Sequence, residues 1–139
     1  MILSERTNIA IQSLLILDTA SINSYNLNEI AKIGNTSKRV LEVLFNELRK
    51  NGLVASRLGK HGGYYLTRDP ELISLKEVVQ IFEPTNPIFQ VALESSKKGK
   101  QQAIIEDICK DIQTYALEKF AAISLADLKE ENTIFNYTI

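Results

Sequence analysis

The stretch GLVASRLGKHGGYYLT, residues 52–67, decides how the rest of the chain is read. Two short apolar runs, LVASRL and YYLT, flank a tip of Gly59-Lys60-His61-Gly62-Gly63. Their imperfect alternation and the glycine-rich connection predict two antiparallel strands joined as a hairpin. A tip that combines glycines with cations suits one of two uses. It cradles a phosphate, or it rests as a wing on a polyanion. The first use fails on spacing, because no Gly-Lys-Ser/Thr follows to open a helix.

Upstream of the hairpin the pattern is helical. From Ser4 to Ala20 the residues Ile9, Ala10, Ile11, Leu14, Leu15 and Leu17 predict a helix buried on most sides, which the turn formers of SINSYN end. Asn26 and Glu29 have capping-box spacing and open a short helix, LNEIAKI. Gly34 and Asn35 suit a tight turn, since both tolerate the left-handed conformation. Ser37 caps a helix over 37–50 in which Val40, Leu41, Leu44, Phe45 and Leu48 form one apolar stripe. Lys38, Arg39, Glu42 and Asn46 fall on the other side, and Arg49, Lys50 and Gly52 supply a favourable end.

Downstream, Ser74 and Glu77 form a second capping box before LKEVVQIF. EPTNPIF reads as a linker, and Lys97, Lys98 and Lys100 as a solvated loop. A long helix follows over Gln101–Ala122, with Ile105, Ile108, Cys109, Ile112, Ala116, Phe120 and Ile123 at three- and four-residue steps. Ile104 and Tyr115 widen that stripe, which needs a partner surface that a second subunit supplies. Ser124 and Asp127 start a last short helix, and TIFNYTI is too short to assign. The expected architecture is mainly α with a small β-hairpin (α+β): a winged helix-turn-helix over 1–83, a linker over 84–100, and a dimerising helix with its tail over 101–139.

Composition narrows the chemistry. The 139 residues carry a net charge of −1, but the charge is uneven. Residues 1–68 hold nine Lys/Arg against five Asp/Glu, and residues 69–139 hold seven against twelve. Between Lys32 and Arg68 the balance is eight against two, a basic segment on which a polyanion can dock. One cysteine, Cys109, and one histidine, His61, exclude an internal disulfide framework and leave no nucleophile–base pair for an enzyme. No secretory signal or membrane span is evident, so a soluble cytoplasmic protein is expected.

LNEIAKIGNTSKRVLEVLFNELRKNGLV, the wing GKHGGYYL, ISLKEVV and the late ISLADL resemble the Rrf-type, IscR-like family of bacterial winged-helix transcription regulators. The resemblance runs from about Leu3 to Leu128. It implies a homodimer on double-stranded DNA, with helix 37–50 in the major groove and the wing over 53–67 along the neighbouring minor groove. Ser37, Lys38 and Arg39 would then face base edges or phosphates. Arg57, Lys60, His61 and Tyr64 are the wing candidates, and Ile105, Ile108, Ile112, Ala116 and Phe120 the dimerisation candidates. Backbone N–H groups at a helix start and a cation at the tip both favour phosphate oxygens. One of Tyr64 and Tyr65 is expected to pack in the core.

Two departures stand out. Many members bind an iron–sulfur cluster through three closely spaced cysteines before the long helix, but residues 83–103 contain none. Ala103 and Glu106 stand where the last cysteine and a further histidine ligand would fall, so no cofactor is expected. The family also often places an arginine just before the first wing glycine. Here that residue is Leu58, which leaves Arg57, Lys60 and His61 as rival replacements. The expected function is a homodimeric repressor on a near-palindromic operator, with an unidentified small-molecule or protein effector. The rival is a winged helix kept as a protein-interaction module.

Overall fold

A computed structural model describes residues 3–83 and 99–130. Helix α1 spans Glu5–Ile16, and the Ser4 side chain caps it by accepting from the Thr7 N–H. Its inner face buries Ala10, Ile11 and Leu14, together with two hydroxyls that are both satisfied. Thr7 Oγ1 donates to Glu83 Oε1 at 2.6 Å, and Ser13 Oγ donates to the Ile9 carbonyl at 2.7 Å. The helix ends four residues before the expected Ala20, because the chain beyond Ile16 is drawn into strand pairing. Asp18 O accepts from the Leu66 N–H at 2.8 Å, and Thr19 bridges Leu66 in parallel.

Helix α2 (Leu27–Gly34) opens on the expected box, with Glu29 N–H donating to Asn26 Oδ1 at 2.9 Å and Asn26 N–H donating to Glu29 Oε2 at 3.1 Å. In the turn that follows, Asn35 takes the left-handed conformation, at φ 50°, while Gly34 stays helical. Helix α3 (Lys38–Lys50) starts where Ser37 Oγ accepts from the Val40 N–H at 3.1 Å. Leu41, Leu44, Phe45 and Leu48 are buried, but Val40 departs from the expected stripe and is 38% exposed. At 100° per residue it lies about a quarter-turn from the centre of the face those four define.

Strands β1 (Val54–Arg57) and β2 (Gly63–Leu66) pair antiparallel, in register from Val54 opposite Leu66 to Arg57 opposite Gly63. The segment read as turns before α2 adds a partial third edge. Tyr25 N–H donates to Tyr64 O at 3.0 Å, and Tyr64 N–H donates to Tyr25 O at 2.7 Å. A short 3-10 turn at Pro70–Leu72, which the sequence reading missed, leads into α4 (Leu75–Phe82) and its Ser74–Glu77 capping box. After α4, Glu83 Oε1 also accepts from the Ser4 N–H at 2.7 Å, closing the bundle end at which α1 begins.

Helix α5 (Lys100–Ala121) matches the expected long helix, and α6 (Leu125–Lys129) opens on the expected Ser124–Asp127 box. Two backbone bonds return α6 to the bundle: Leu125 N–H to Ile73 O and Leu75 N–H to Ile123 O, each at 2.9 Å. Leu125 thereby joins Leu14, Leu17, Phe45, Leu66 and Ile73 in one buried cluster. The linker expected over 84–100, apart from its last two residues, lies outside the described residues, as do Lys97, Lys98 and the tail from residue 131. The architecture is mostly helical, with a two-stranded wing and a long C-terminal helix, as the sequence pattern predicts.

Candidate nucleic-acid interface

The rotation of α3 is set by its four buried side chains. Opposite them run Arg39, Val43, Asn46 and Lys50, at successive turns of the helix. Val43 is 54% exposed. The start of the helix sets Ser37, Lys38 and Arg39 at the end where unpaired N–H groups concentrate positive potential. Ser37 uses its oxygen on the cap, which leaves its hydroxyl proton free to donate.

Helix and wing are joined through one aromatic contact. The Tyr64 ring meets Phe45 edge-on, with centroids 4.8 Å apart and planes at 63°. Tyr64 is thus the tyrosine of the pair that packs against the core. Tyr65 faces the other way and lies under the Arg57 guanidinium at 5.1 Å. The same guanidinium donates from Nη2 to Ala20 O at 2.6 Å. Leu58 next to it is 99% exposed.

The tip glycines have a specific packing role. A Cβ on Gly62 would sit 2.4 Å from the Arg57 carbonyl oxygen, and one on Gly63 would sit 2.4 Å from the Tyr25 carbonyl carbon. Gly63 also holds φ at 148°, which side chains disfavour. Gly62 thus lets the wing tip close on its own backbone, and Gly63 lets the wing pack against the segment that leads into α2. Ser24 Oγ donates to His61 O at 2.9 Å and pins the tip to the same segment. A notch of about 290 Å³ remains there, edged by Ser24, Asn26, Glu29, Lys60 and His61.

The cations of the basic segment now divide into two groups. Arg57 is held by Ala20 and Tyr65. Arg68 pairs with Glu77 at 2.7 Å and donates to Leu72 O at 3.0 Å. Burial pushes the Glu77 carboxyl up, but Arg68 and Ser74 more than offset this and hold it below its ordinary value. Arg49 donates to Asn46 Oδ1 at 3.1 Å, and Lys50 lies 3.5 Å from Glu47. Lys32 on α2 and Lys38, Arg39 and Lys60 are exposed and make no hydrogen bond or ion pair with the described residues. Sequence reasoning marked the last three, but it had no signal that Arg57 is engaged by Ala20, a contact 37 residues away.

Helix α5 presents the other candidate surface. None of its 22 residues is buried. Ile105, Ile108 and Ile112 lie exposed along one side, flanked by Ile104 and Tyr115, at 42% to 59% exposure. Ala116, Cys109 and Phe120 are half-buried, and Phe120 packs against the core where α5 ends.

The model of the Rrf2 family, described as an iron-dependent transcriptional regulator, matches residues 3–131. The chain belongs to the Rrf2 family. It is a DNA-binding transcriptional regulator and not an enzyme. The transcriptional regulator CymR of Bacillus subtilis is 32% identical over 112 residues, covering 79% of this chain and 80% of CymR. The regulator IscR of Xenorhabdus nematophila is 28% identical over 110 residues, covering 79% of this Rrf2 chain and 67% of IscR. The structure of CymR, the global cysteine regulator of B. subtilis, shares the fold at a TM-score of 0.72 and 24% identity, over 94% of this chain and 98% of that one.

The family description raises iron, and the donor set answers it poorly. The whole sequence has one cysteine and one histidine. Cys109 sits half-buried on α5, and His61 sits on the wing tip. Among the described residues no three His, Cys, Asp or Glu side chains are grouped to hold a metal ion. One thiolate per chain does not match a cluster held by several. No described helix is long and apolar enough to cross a membrane.

Proposed function

We propose that this Rrf2 protein is a cytoplasmic homodimeric repressor that works without an iron–sulfur cluster. Helix α3 enters the major groove of each half of a near-palindromic operator, and the wing lies along the adjacent minor groove. Lys38 and Lys60 take phosphates, Arg39 takes a base edge or phosphate, and His61 and the Ser37 hydroxyl flank them. Arg57 and Tyr64 act from behind, by holding the wing's shape. Residues 1–83 form the DNA-binding unit, 84–100 the linker, and 101–139 the dimerising part. The signal is a small molecule, a partner protein or none at all.

The observation that carries this reading is the division of the cations. The arginines inside the wing region are bonded to the chain itself, whereas the start of α3 and the tip of the wing carry exposed cations without partners among the described residues, as α2 does at Lys32. An unburied apolar face on α5 supports the homodimer. The single cysteine supports cluster-free action. Occupancy of an operator is enough for repression and asks for no further surface.

The test is fluorescence anisotropy against DNA from upstream of the protein's own gene, against scrambled DNA, and against duplexes selected from the genome, each across a salt series. A preference above roughly a thousandfold for one sequence is the expected outcome. Equally weak binding to all three would favour the protein-interaction module instead, a reading for which the fully exposed Leu58 is the supporting feature.

A further inference from the structure

Val43 is the large apolar side chain that stands on the outward face of α3. The other large apolar side chains of α3, apart from the rim residue Val40, are completely or almost completely buried. Val43 stands instead near the middle of the outward face, one turn after Arg39 and just before Asn46 and Lys50. Because it is β-branched, a helix holds it almost entirely in one χ1 rotamer, so its two methyl groups point in a fixed direction.

A rigid apolar side chain in that place suits few partners on DNA. It neither pairs with a phosphate nor hydrogen-bonds a base edge. The major groove displays donors, acceptors and one apolar group, the 5-methyl of thymine. We infer that Val43 reads a thymine methyl in each operator half-site, beside the base contacted by Arg39. This rests on the proposal that α3 enters the major groove. One helical turn advances about 5.4 Å, and base steps about 3.4 Å, so the thymine lies within about two base pairs of the Arg39 contact. Arg39, one turn before Val43 and without a partner among the described residues, brings positive charge to this face, which suits DNA as its occupant, while Lys50 two turns on is paired with Glu47.

The full-length protein is used to enrich duplexes from a random pool, and each thymine of the enriched sequence is then replaced singly by deoxyuridine, which lacks only the 5-methyl group. Loss of one buried methyl predicts about a three- to fivefold weaker affinity at one thymine per half-site. Val43→Ala should bind the unmodified DNA weaker by a similar factor and be indifferent to deoxyuridine at that position. Its salt slope should stay unchanged, because no phosphate contact is lost. Alanine favours helix more than valine does, so the variant folds. A flat deoxyuridine scan, or a scan identical in wild type and Val43→Ala, overturns the inference and leaves the operator reading standing. Failure to enrich any sequence overturns both.

Discussion

Helices α3 and α5 are each about half apolar, yet they use that content in opposite directions. Of the 13 residues of α3, four are buried against the chain's own core, which leaves an outer face free for cations. Of the 22 residues of α5, none is buried, and its isoleucines face outward. The stripe of α3 meets α1, α2 and β1, whereas α5 meets chiefly α4 among the described residues. Apolar periodicity therefore says that a face will be covered, while the surrounding chain decides who covers it. In α3 the chain covers its own helix. In α5 a second subunit is the proposed cover.

The hardest way to break the α3 half of this contrast is Phe45→Ala. It removes a fully buried ring and the edge-on seat of Tyr64, and should cost about 3–5 kcal/mol of stability in urea denaturation. A loss below 1 kcal/mol, roughly the scale of a surface change, would show that α3 is not held as described. The α5 half is tested by Ile108→Glu with Ile112→Glu. Sedimentation equilibrium should find monomers, and operator affinity should fall about 100-fold as the two half-sites lose their linkage. A dimer that persists would place the subunit contact elsewhere.

Smaller effects sharpen the division of the cations. Lys38→Ala and Lys60→Ala should each weaken binding to every sequence and flatten the logarithmic salt slope by about 0.9. Arg57→Ala should instead act through wing order, leaving the slope nearly unchanged. The smallest effect concerns Glu77, whose carboxyl is held below its ordinary value in the folded state. A lowered folded value means that its contribution is present above the unfolded pKa and lost as pH falls through the folded one. Glu77→Gln should therefore lose less stability than wild type on acidification below about pH 4, read by thermal melts along a pH series. Parallel curves for the two proteins would contradict the Arg68–Glu77 coupling.

What the sequence disclosed was local. The caps at Asn26, Ser37, Ser74 and Ser124 each reach only three residues, so spacing alone reveals them. The hairpin was legible from its glycines, and the α5 stripe from its period. Contacts between distant residues were not legible. Asp18 and Thr19 pair with Leu66, which explains the early end of α1, and Tyr25 pairs with Tyr64 across 39 positions, which explains the need for glycine at 63. For the site, Lys38, Arg39 and Lys60 are legible as candidate DNA contacts from their places in the sequence, and all three are exposed. Arg57 looked equivalent to them, because its bond to Ala20 leaves no mark in the local pattern.

The seat of Leu125 has a consequence for how the protein is made. This leucine is fully buried beside residues from the first third of the chain, and Lys129 Nζ reaches the Leu17 carbonyl. A ribosome adding about 5–20 residues per second leaves the wing roughly 3–12 seconds old before Leu125 is even synthesised. Through that interval the helix-turn-helix exists with one wall of its core missing. Newly made chains thus reach full stability only once Leu125 has been added, after the surface proposed to meet DNA has already taken shape.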